Sequence, residues 1–130
     1  MIEINMNTAR FKLTVKGHAL PEETEEYSQI CSAVSALAQG LAYTITKYES
    51  DHNCIEELDY RNEPGDFFWQ VKPEAWAEAL IRKRMYAYGD GMEMMASCHP
   101  ESVKMIYDGE EVEPFTEEDE SNGKQETGNP

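Results

Sequence analysis

Ile2, Ile4 and Met6 alternate with polar residues, and Phe11, Leu13 and Val15 repeat the alternation against Arg10, Lys12, Thr14 and Lys16. A period of two marks a strand with one buried face, so the chain opens with two predicted strands joined by a short turn near Asn7-Thr8. Gly17-His18 ends the second strand. Residues 19–27 contain Pro21 and four glutamates but no periodic apolar positions, which predicts a loop. From Ser28 the period changes. Ile30, Val34, Leu37 and Leu41 fall at i, i+4, i+7 and i+11, a single helical stripe, with Ser28 as the expected N-cap and Gly40 as the expected end.

Three further strands are predicted over 42–48, 53–60 and 66–71, the last placing Phe67, Trp69 and Val71 on one face. Asn62-Glu63-Pro64-Gly65 is a turn signal between the last two. Pro73 suits the first turn of a second helix that carries Trp76, Leu80, Arg84 and Ala87. Its sequence leaves open whether it passes through Gly89-Asp90-Gly91. Each glycine costs about 1 kcal/mol in a helix, so continuation into 92–97 requires packing that offsets the loss. After His99-Pro100, residues 103–107 read as a closing strand. The resulting order, ββαβββαβ, predicts an α+β two-layer sandwich: an antiparallel or mixed sheet with two main helices on one face.

Charge narrows the partners. Lys and Arg total 11 against 26 Asp and Glu, a formal charge of -15, which argues against nucleic acid or an anionic membrane as the main partner. No apolar run approaches the roughly 20 residues needed to cross a bilayer, and Met1 to Asn5 lacks the basic and apolar regions of a secretory signal. Cys31, Cys54 and Cys98 show neither CxxC spacing nor an even count, so free thiols in a reducing cytoplasm are expected. Eight acids (Glu110, Glu111, Glu113, Glu117, Glu118, Asp119, Glu120 and Glu126) against Lys124 alone mark 110–130 as an acidic, disordered tail. The domain is therefore expected over 1–109.

The chemistry concentrates in Gly17-His18-Ala19 and Ile30-Cys31-Ser32-Ala33-Val34-Ser35-Ala36-Leu37. This places an imidazole at a strand's end and a thiol at the expected start of the next helix. Unpaired N–H groups and the positive end of the helix dipole favour a thiolate there, and the same N–H groups suit a developing oxyanion. A neighbouring histidine can take the thiol proton and return it to a leaving amine. An isolated pair of this kind is more often a buried thiol and a surface imidazole.

Both segments resemble the ribosomal-processing cysteine protease family (Prp, the YsxB-like proteins), which joins a GHA motif to a helix of the form D-x-V-C-A-A-V-S-A-L. His99-Pro100-Glu101-Ser102-Val103-Lys104 is similar to that family's closing YPEYVKV segment, and the likeness spans about residues 1–107. The resemblance implies a cysteine endopeptidase with His18 as general base and Cys31 as nucleophile, and no cofactor. It also implies a homodimer whose substrate is the N-terminal extension of a large-subunit ribosomal protein. A phage structural protein with a similar leader is the alternative substrate. Ser28 stands where the family has an acid, and the stretch from His18 to Cys31 is one residue longer, so Glu25 and Glu26 become candidates to orient the imidazole. If none does so, the fold is left as an inactive peptide-binding module. Ser35 matches the family's serine. Glu22 and Glu23, with Glu25 and Glu26, form an acidic loop suited to attracting a lysine-flanked peptide. His52 with Cys54, and Cys98 with His99, match no zinc spacing, so no metal site is expected. Met92, Met94, Met95, Trp69, Trp76, Phe67 and Phe68 are expected in the core or at a dimer contact.

Overall fold

The computed structural model describes residues 1–17 and 25–115. Strands β1 (Ile2–Asn7) and β2 (Lys12–Lys16) form the opening hairpin, and α1 follows at Glu25–His52. Next come β3 (Ile55–Glu63), β4 (Asp66–Pro73), a 3₁₀ turn at Ala75–Ala77, α2 (Glu78–Cys98), β5 (Val103–Tyr107) and the short β6 (Glu110–Glu111). The six strands make one sheet in the order β3-β4-β2-β1-β5-β6. All pairs are antiparallel except β1 with β5, so the sheet is mixed and the fold α+β.

The alternation read from the sequence sets the faces. Ile2, Ile4, Met6, Leu13, Val15, Phe67, Trp69, Val71, Val103 and Met105 are buried on one face of the sheet, and α1 and α2 supply Ile30, Val34, Leu41, Ile45, Ile81, Met85 and Met92 against them. The other face carries Glu3, Asn5, Thr14, Lys16, Lys104 and Ile106. Among the described residues no helix is long and apolar enough to cross a membrane.

Two expectations are corrected and one open point is decided. Gly40 does not end the first helix, and 42–48 is not a strand: α1 runs through both and stops at Asn53, whose positive φ of 50° and N–H bond to the Glu49 carbonyl close it. The stripe continues as Leu41, Ala42 and Ile45, all buried, and a Cβ at Gly40 would lie 2.8 Å from the Tyr88 ring. Gly40 is thus where α2 approaches α1 closely, an approach tied by the Thr44–Tyr88 hydroxyl contact at 2.8 Å. The order becomes ββαββαββ. Second, α2 is continuous through Gly89, where a Cβ would lie 2.6 Å from both Met6 Sδ and Tyr107 Oη. Packing against the sheet offsets the helix cost of that glycine. Third, Asp108 (φ 49°) and Gly109 (φ 85°) form a two-residue hairpin turn, and Glu110–Glu111 return as β6. The segment expected as tail therefore begins inside the fold, and Phe115 N–H still bonds the Ser97 carbonyl. Trp76, expected in the core or at a dimer contact, is 61% exposed.

Candidate active site

Gly17 closes β2. Its φ is +97°, a Cβ there would lie 2.2 Å from the Met1 carbonyl oxygen, and its N–H donates to the Gly65 carbonyl at 3.0 Å. Only glycine fits, which accounts for the residue before His18. Across from it, α1 presents Ser35, Ala38 and Gln39. These residues, with Gly17, Val15, Phe67 and the β3–β4 turn, enclose a cleft of about 320 Å³. Its floor is apolar; its rim holds Asn62, Glu63 and Asp66.

Cys31 lies one turn before Ser35 on the same stripe of α1, half-buried against the edge of the core. Its thiol is free. It is the seventh residue of the helix, not part of its first turn. Helix-start amides belong to the first turn, so they do not serve an oxyanion at Cys31. Ser28 is correspondingly not the N-cap: it is an exposed residue inside α1. Glu25 and Glu26 are exposed in the first turn, where their charge complements the helix dipole. His18, Glu22 and Glu23 lie outside the described residues.

Over residues 1–104 the chain matches the family described as cysteine protease Prp. The chain belongs to the cysteine protease Prp family. Its enzyme class, a cysteine protease, comes with that membership. Among solved structures, SMU.848 from Streptococcus mutans is similar with a TM-score of 0.58 at 18% identity, covering 82% of this chain and 90% of that one. The essential ribosomal processing protease Prp from S. aureus, in complex with a substrate peptide, gives 0.57 at 12% identity, over 82% of this chain and 96% of that one. The same enzyme with a covalently linked product peptide gives 0.53 at 13%, over the same shares. At these identities the likeness is one of fold. No curated protein matches the sequence significantly.

Within this Prp-family chain the other two thiols are set apart. Cys54 is fully buried, and burial, then the Glu49 carboxylate, pushes its thiol up, which keeps it neutral and inert. Cys98 is exposed at the end of α2, lining a different cavity of about 770 Å³ with Asp90, Glu93, Asp108 and Glu113. Both the helix C-terminus and those carboxylates disfavour an oxyanion there. Among the described residues no three His, Cys, Asp or Glu side chains gather to hold a metal.

Proposed function

We propose that the chain is an endopeptidase whose Cys31 thiolate, paired with His18, cuts the N-terminal extension of a large-subunit ribosomal protein. One observation carries the reading. Cys31 sits on the stripe of α1 that continues as Ser35 and Ala38 into a cleft, and the cleft's far wall is Gly17, the residue preceding His18. The thiol proton passes to His18 and the sulfur attacks the scissile carbonyl carbon. As the tetrahedral intermediate collapses, the C–N bond breaks and His18 gives its proton to the departing amine. Water, deprotonated by the same imidazole, then hydrolyses the thioester. The Ser35 hydroxyl borders the cleft one turn from the sulfur, where it meets bound peptide.

The substrate class rests on the family resemblance and on the solved relative's being a ribosomal processing protease that takes a substrate peptide. The acidic loop residues Glu22 and Glu23, with Glu25 and Glu26, favour a lysine-flanked peptide. A homodimer working in the cytoplasm completes the proposal. A phage structural protein with the same kind of leader presents the same chemistry.

Incubation with a leader peptide, read by mass spectrometry, tests it. Wild type cleaves at a single bond, and Cys31→Ala loses about 10³-fold or more of that activity. Binding without cleavage by the wild type would instead make the chain a peptide-binding module. Exposed Ser28, in place of the family's acid, is the feature that favours that rival.

A further inference from the structure

Two grooves lie between α1 and β3. The Glu49 carboxylate accepts the Ile55 N–H at 2.5 Å where β3 begins, and the turn that ends β3 shares its cleft with Ser35 and Gln39. Thr46 and Glu49, three turns beyond Ser35 and Ala38 on the same stripe, border a second groove of about 210 Å³ with Ile55, Glu56, Glu57 and Leu58. The stripe that carries Cys31 thus borders both grooves, β3 borders them from the other side, and together they outline a seam.

β3 is also the sheet's long free edge. It has nine residues and pairs only with β4 among the described residues. Leu58 and Tyr60 lie opposite buried Val71 and Trp69, on the helix side of the sheet, yet remain 52% and 45% exposed because no helix covers them. Their exposure is unusual for side chains in register with the core. The seam's charge is one-sided. Glu49, Glu56, Glu57, Glu63 and Asp66 line its two grooves; Glu56 is paired with Lys72 and Asp66 with Arg61, neither of which lines them. Glu57 and Glu63 make no ion pair among the described residues.

We infer that the substrate peptide, on one side of the bond cut, lies extended in this seam as an added strand on β3, with apolar side chains on Leu58 and Tyr60 and lysines toward the bordering glutamates. The inference rests on the proposed function. An edge strand offers unpaired N–H and C=O groups at the repeat of an extended chain, and alternate side chains then reach one face. The dimensions agree. Cys31 to Glu49 along α1 is about 27 Å, which an extended chain spans in about eight residues.

The test uses synthetic leader peptides with a lysine-flanked apolar core. Shortening the peptide from the seam side below about six residues, or substituting Leu58→Ser with Tyr60→Ser, raises KM about 10-fold or more while kcat changes less than about 2-fold. Both side chains are about half exposed, Tyr60 also meeting the Phe67 ring edge-on, so circular dichroism checks the fold. Amide exchange on Cys31→Ala then reads the edge directly: bound peptide slows exchange at alternate β3 residues. Peptide that binds or is cut while β3 exchange stays unchanged overturns the seam and leaves the proposed function standing. Protection of β3 without peptide, rising with protein concentration, assigns the edge to a second copy and also overturns it. A peptide neither bound nor cut overturns both.

Discussion

The two ends of the sheet are built on opposite plans. At the end where β1 finishes, Thr8 is buried, and its N–H and hydroxyl both donate to the Asp108 carboxylate at 2.7 to 3.0 Å. Tyr86 bonds the same carboxylate at 3.2 Å, and the Tyr107 hydroxyl donates to Asp90 at 3.1 Å. At the other end Gly17 makes one backbone bond across to Gly65, and the cleft beyond it is walled by small or exposed groups: Ser35, Ala38, Asn62. The first end locks strands to helix. The second leaves open space in line with the free thiol of Cys31. The larger cavity, about 770 Å³, lies at the locked end, while the cleft in line with Cys31 has about 320 Å³. The proposed site therefore rests on the placement of a thiol and not on volume.

That contrast breaks most visibly at Asp108. Asp108→Ala leaves the buried Thr8 N–H without its acceptor and the Thr8 hydroxyl with Tyr86 alone, and puts alanine at a φ of 49°, so unfolding free energy falls by about 2–4 kcal/mol. Peptide cleavage by the protein that remains folded stays at the wild-type rate. Urea melts alongside a cleavage assay check both halves, and an equal loss of activity would join the two ends. Gly89→Ala is smaller. Its Cβ meets Met6 and Tyr107 at 2.6 Å; overpacking costs about 1–3 kcal/mol and better helix propensity returns about 1. A net loss of about 1–2 kcal/mol is expected in the same melts.

Tyr107 gives the smallest effect and a sign. Burial, then its hydrogen bond to Asp90, pushes its hydroxyl above the ordinary 10.0, so the folded protein holds that proton after the unfolded chain releases it. The stability from this group is intact below pH 10 and lost progressively above it. Denaturant midpoints measured from pH 9 to 11 fall more steeply in wild type than in Tyr107→Phe.

Local periodicity carried most of the fold. The strands with one buried face were legible because Ile2-Ile4-Met6, Phe11-Leu13-Val15 and Phe67-Trp69-Val71 each alternate within a few residues. The length of α1 was not, because Gly40 and the run Thr44-Ile45-Thr46 have strand or breaker character, and the reason they are helical, Tyr88 packed on Gly40, lies on another helix. The Asp108-Gly109 hairpin was readable from its turn pair and was obscured by the acids that follow. The parallel pairing of β1 with β5 has no local signal. At the site, the Gly17-His18-Ala19 and Cys31-to-Leu37 motifs are contiguous and therefore visible. The helix start was misplaced because Ser28 resembles a cap, whereas the chain is already helical at Glu25, and the oxyanion assignment fell with it.

The central claim, that His18 activates Cys31, is tested most directly by the rate at which iodoacetamide labels each thiol, followed by peptide mapping. Cys31 labels faster than Cys98, although Cys98 is the more exposed, and that advantage disappears in His18→Ala, while buried Cys54 stays unlabelled in the folded protein. Cys98 labelling first, with Cys31 indifferent to the loss of His18, would contradict the account.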